Sequence, residues 1–158
     1  MSTPETARCI EFGIDQLVPH QDGMSLLDRV VHWEPDRIVA ELQVPHEGLF
    51  VDDGGVPGWV GIEYMAQAIA AWAGCRDRLA GRGPSVGFLL GSRRYTCGQA
   101  VFPSGTVLRI HARCELLGDN GLGMFACSIE ADGEQWAAAN VSVYQPADAA
   151  AYLENGQA

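Results

Sequence analysis

The run PGWVGIEYMAQAIAAWAGCRDRLAG, residues 57–81, constrains this chain more than any other stretch. Pro57 suits a first helical position, because its ring holds φ near the helical value and its missing N–H would lack a partner there anyway. Gly81, Gly83 and Pro84 supply the stop. The run predicts one helix of roughly 22 residues, about 33 Å long. Between Trp59 and Trp72 only Glu63 and Gln67 are strongly polar, and their spacing puts both on one face. A helix apolar nearly all round must be enclosed nearly all round. Ala66, Ala68, Ala70, Ala71 and Ala73 keep it slim enough for a sheet to come close.

A carboxylate in such a place costs several kcal/mol unless it is paired, hydrogen-bonded or protonated. Glu63 is therefore a structural acid bonded to backbone or standing at an interface edge, or else a general acid or base. A membrane span is rejected, because Glu63 and Gln67 interrupt the run and Ala and Gly stand where a span carries Leu.

The 158 residues suit one domain, 1–158, with a core of about 10–145 and flexible ends. The net charge of −10 argues against nucleic acid, whose phosphates need a basic footprint. All ten cations are arginines, and Arg76, Arg78, Arg82, Arg93 and Arg94 fall close together. Such a group is either a solvated helix end or a local anion dock, for which the planar guanidinium is well shaped. The five cysteines are odd in number and form no CxxC pair, and no apolar signal region opens the chain, so a reduced, cytoplasmic protein is expected. No metal is expected, since the four histidines are scattered.

Elsewhere, residues 1–8 read as frayed, Cys9 to Phe12 as a short edge strand, and IDQLVPH as one helical turn ended by Pro19. RIVAELQV alternates Ile38, Ala40, Leu42 and Val44 against a mostly polar face, after a turn at Pro35-Asp36. A Gly- and Asp-rich loop, His46 to Gly58, delivers the chain to the long helix. Strands at 85–97, 106–117, 124–131 and 136–145 follow, with turn signals at Pro103-Ser104-Gly105, Asp119-Asn120-Gly121 and Asp132-Gly133, and a tail after Gln145. These elements predict an α+β fold, an antiparallel sheet wrapped around one long central helix, with the last four strands in a meander.

Three motifs in this order resemble the hotdog-fold 3-hydroxyacyl-thioester dehydratases of fatty-acid and polyketide synthesis: LVPHQDGMSLLDRV from Leu17, PGWVGIEYMAQ from Pro57, and FLLGSRRY from Phe88. Within that family the chain is most similar to the dehydratase-like subunits of aryl-polyene clusters, which share Pro-Gly-Trp and Glu-x-Met-Ala-Gln. The resemblance implies dehydration on an acyl carrier protein without a cofactor. It makes Glu63 the acid and places Pro57, Gly58, Gln67 and Asp53 around the substrate, with the Gly58 N–H directed at the thioester oxygen.

The resemblance has one departure. Family members carry a catalytic His in a Gly-His-Phe-Pro-Gly loop; the loop here, LFVDDGGVPG, is shorter, and Leu49 stands at the equivalent distance from Glu63. Asp53 falls near the vacant place if Phe50 aligns with the family's phenylalanine. His20, in a matched motif, is favoured over His46 as the base. Arg93 and Arg94 are the expected dock for the carrier protein. An unpaired sheet edge implies a homodimer or a heterodimer with a second hotdog subunit. Three functions remain open: a dehydratase, a non-catalytic partner of a complete dehydratase subunit, and a hotdog thioesterase.

Overall fold

The computed structural model describes residues 4–17, 25–81 and 88–145. Alternation along RIVAELQ makes β2 (Arg37–Gln43), whose Ile38, Ala40 and Leu42 are buried while Arg37 and Gln43 face solvent. It pairs antiparallel with β1 (Arg29–Glu34) across the Pro35-Asp36 turn. The miniature strand β3 (Gly55–Pro57) leads into a 3₁₀ turn, Gly58–Val60, and then the helix Gly61–Leu79. After it come β4 (Phe88–Cys97), β5 (Val101–Pro103), β6 (Val107–Leu117), β7 (Leu122–Ala131) and β8 (Glu134–Tyr144).

One antiparallel sheet runs β1-β2-β6-β7-β8-β4, and β3 pairs separately with β5. The expected meander holds for β6, β7 and β8, which tight turns at Gly121 (φ 89) and Gly133 (φ 78) connect. It fails for β4, which lies at the far edge beside β8 rather than next to β6. The physical reason is the β4–β6 link, which carries β5 across to β3 instead of turning back on itself. The apolar face read along β6 is buried at Leu108, Ile110 and Ala112 but ends at a bulge after Cys114, leaving Leu116 53% exposed.

The N-terminus is a second correction. Residues 4–11 form a helix, α1 (Pro4–Glu11), not a frayed end followed by a strand. Thr6 and Cys9 lie on its inner face, and the Thr6 hydroxyl donates to the Trp33 carbonyl at 2.7 Å while accepting the Trp33 N–H at 3.1 Å. A third difference is that Cys9 and Cys75, expected as free thiols, are joined in a disulfide with their Cα atoms 5.6 Å apart. It ties α1 to the long helix, which is α3 after the short turn α2 (Ile14–Leu17).

The sheet and α1 enclose α3 as its composition requires: Met65, Ala68, Ala71 and Cys75 are fully buried in the one core. Slimness matters most at Gly74, where a Cβ would lie 1.8 Å from the Leu17 carbonyl oxygen, so α2 rests directly on the helix backbone. Trp72 locks the far end, with its indole N–H on the Glu34 carbonyl and its ring edge-on to Phe125. The helix stops where the sequence predicts, at Gly81 with φ 80. Its start differs, because Pro57 ends β3 and precedes the 3₁₀ turn rather than opening the α-helix. No described helix is long and apolar enough to cross a membrane.

Candidate active site

Glu63 stands in the first turn of α3, half-buried, at the end of the helix where backbone N–H groups favour negative charge. Gln67, one turn on, is fully enclosed. Its amide oxygen accepts the Leu26 N–H at 2.8 Å and its amide nitrogen donates to Glu63 Oε1 at 3.2 Å. The first bond fixes which end of the amide faces which way, so the second is a donor aimed at the carboxylate. Gln67 thus touches Glu63 directly, and Leu26 holds it there.

Gly58 is held on every side. Its N–H donates to the Ala100 carbonyl at 2.9 Å, and its own carbonyl accepts the Tyr95 hydroxyl and the Gly61 N–H. A Cβ on Gly58 would stand 2.2 Å from the Gln99 carbonyl oxygen, so only glycine fits. The Gly58 N–H, expected at the thioester oxygen, is therefore engaged within the chain. In a 3₁₀ turn capped at Pro57 the Val60 N–H makes the first i→i+3 bond, to the Pro57 carbonyl, which leaves the Trp59 N–H as the turn's amide without an intrahelical carbonyl. Trp59 is 63% exposed, with its ring edge-on to Phe50.

Beside the next helix residue, Tyr64, lies a cleft of about 250 Å³ bounded by Ser25, Leu26, Gln43 and Leu49. Burial pushes the Tyr64 hydroxyl up to about 12, so it stays protonated and able to donate. Leu49, on the rim, stands at the sequence distance from Glu63 at which the resemblance places a catalytic His, in a loop shorter than the family's. A larger open depression, about 580 Å³, lies on the outer face of the sheet among Arg37, His111, Arg113 and Glu130, and no α3 residue lines it.

The remaining expected site residues are spread out. Asp53 is exposed at the tip of a tight turn between Asp52 and Gly55, with its N–H on the Asp52 carboxylate at 2.7 Å. Its position is that of a turn residue. His20 lies outside the described residues, and His46 is exposed near Gly105. His32 and His111 each bond a neighbouring glutamate, Glu34 and Glu130. The arginine group divides: Arg76 stacks over Trp72 at 4.7 Å and Arg78 donates to the Gln16 carbonyl, while Arg93 and Arg94 stand exposed on β4. Among the described residues no group of His, Cys, Asp and Glu is placed to hold a metal.

Sequence reasoning missed Tyr95. Strand alternation would send it outward, but a bulge in β4 between Arg93 and Thr96, with Arg94 at φ 57, turns it inward to Gly58.

An antiparallel sheet curled around one long helix, with an acid in that helix's first turn, defines a hotdog-fold protein. The chain belongs to the ApeP-like dehydratase family, whose model, described as ApeP dehydratase, matches residues 12–154. A chain of the dehydratase heterocomplex ApeI:P from Xenorhabdus doucetiae is 31% identical over 90% of this chain and 96% of its own length, with a TM-score of 0.83. Two more distant structures share the fold. A hypothetical thioesterase with coenzyme A from Streptococcus pneumoniae is 14% identical over 73% of this chain and 83% of its own, TM-score 0.58. Cj0977, a sigma28-regulated virulence protein from Campylobacter jejuni, is 14% identical over 93% and 94%, TM-score 0.60. No curated protein matches the sequence.

Proposed function

We propose that this chain is a subunit of a cytoplasmic dehydratase for 3-hydroxyacyl thioesters carried on an acyl carrier protein, in a heterodimer with a second hotdog subunit. The observation that carries the reading is the Gln67 amide, fixed by Leu26 and directed at Glu63, beside a turn whose Trp59 N–H has no intrahelical carbonyl. Glu63 gives its proton to the C3 hydroxyl as it leaves. A base takes the C2 proton; that electron pair becomes the C2=C3 bond as the C3–O bond breaks, and water departs. The Trp59 amide holds the thioester oxygen while charge builds on it. His20 is the base that the matched motif offers, and no cofactor enters the scheme.

The absence of a His from the shortened loop LFVDDGGVPG favours a second reading, in which a complete partner subunit performs the chemistry and this chain stabilises it. Assays of the chain alone and of its complex, reading enoyl product and free thiol separately, test both. Enoyl product that requires Glu63 supports the first; full activity of the complex with Glu63→Gln supports the second; thiol release alone points to a thioesterase.

The heterocomplex of the relative supports the assembly, and so does β4, which among the described residues is an edge strand paired with β8 alone, with Leu90 56% exposed. The chain should run as a dimer, or with its partner, in light scattering at micromolar concentration; a monomer counts against it. Arg93 and Arg94 are the proposed carrier dock. Replacing both with Ala should raise KM for a carrier-bound substrate about tenfold or more while leaving a short pantetheine thioester nearly unaffected, as loss of long-range attraction to an acidic partner requires.

A further inference from the structure

Three features of β4 and α3 converge on the Tyr95 hydroxyl. The bulge sets Arg94 and Tyr95 together opposite Ala139, since Arg93 pairs with Asn140 and Thr96 with Ala138. The non-glycine Arg94 adopts φ 57 to make this turn, a costly conformation for a side-chain-bearing residue. Gly61 then leaves the space that the hydroxyl fills: a Cβ there would be 2.2 Å from it. The hydroxyl donates to the Gly58 carbonyl, which already accepts the Gly61 N–H. A strained strand residue and a missing side chain on the helix thus serve one hydrogen bond. Burial, and then a bond with Cys97, raise the Tyr95 pKa far above the ordinary tyrosine range, so the donor does not titrate at working pH.

We propose that Tyr95 is a positioning residue: its hydroxyl pins the Gly58 carbonyl and so fixes the 3₁₀ turn that presents the Trp59 amide to the substrate and whose continuation carries Glu63. The proposal rests on the dehydratase reading for its consequence but not for its geometry. A phenyl ring of the same size packs equally well and cannot hold the carbonyl, which leaves the turn free to rock between 3₁₀ and α-helical spacing. Burial of the ring secures folding; the hydroxyl secures the aim of the Trp59 amide and of Glu63.

The test is Tyr95→Phe in the chain as purified with its partner subunit, beside Glu63→Gln. In Tyr95→Phe, kcat should fall about tenfold with KM and melting temperature little changed, and the deficit should be the same from pH 6 to 9 because the donor does not titrate. Amide hydrogen exchange in a peptide covering residues 56–61 should quicken at least tenfold, with the sheet unaffected. Normal kcat in Tyr95→Phe, with Glu63→Gln inactive, overturns the proposal. If Glu63→Gln is fully active, the dehydratase reading fails instead, and exchange alone decides whether the latch exists: unchanged exchange overturns it.

Discussion

Replacing Glu63 with Gln should leave the protein folded and cost at least about a hundredfold in turnover, the low end for removal of an acid–base catalyst. The amide is nearly isosteric with the carboxylate and keeps an oxygen to accept the Gln67 amide donor, which reaches Glu63 Oε1 at 3.2 Å. What it lacks is an acidic proton. Gln67→Ala should be milder in kind: the cavity it leaves costs stability, and the carboxylate keeps its chemistry but loses its fixed direction. A structural Glu63 reverses this pattern, with melting temperature moving and turnover standing still. Enoyl formation from a 3-hydroxyacyl thioester by the chain with its partner, followed across both variants, separates the two outcomes.

How far the sequence carries depends on whether a feature is local. The long helix was legible because its apolar composition, its Gly81 stop and its Glu63–Gln67 spacing are all contained in one run. The β6–β7–β8 hairpins were legible for the same reason, through their Asp-Asn-Gly and Asp-Gly turns. The helix α1 was not, because eight residues with two buried positions carry too weak a pattern, and what stabilises them is Trp33, far along the chain. The edge position of β4 was hidden for a related reason: the β3–β5 pair that diverts the chain is only three residues long on each side.

The site divides along the same line. Glu63 and Gln67 could be found from spacing, but the bond from Leu26 that orients Gln67 crosses 41 residues and leaves no trace in either segment. Gly58 was expected to direct its N–H at the thioester oxygen, but that N–H goes to the Ala100 carbonyl, and the Gln99 carbonyl takes the space a side chain would need. Tyr95 was invisible because a bulge inverts the alternation on which strand faces are read.

The enclosure of α3 makes the second large prediction. Ala68→Glu should abolish soluble expression, or lower the melting temperature by about ten degrees or more if any protein survives. Ala68 is 0% exposed in the core that also holds Met65 and Ile69. An uncompensated buried charge costs about 3–5 kcal/mol, a large part of the roughly 5–15 kcal/mol that holds a domain together. The same side chain is tolerated five positions earlier, and the comparison explains why. Glu63 is only half-buried, sits in the first turn where the helix dipole favours an anion, and has Gln67 as a donor. Ala68 lies beyond that first turn, in the middle of the apolar core. A soluble Ala68→Glu protein with normal melting behaviour would contradict the placement of this helix inside the sheet, and with it the site built on its first turn.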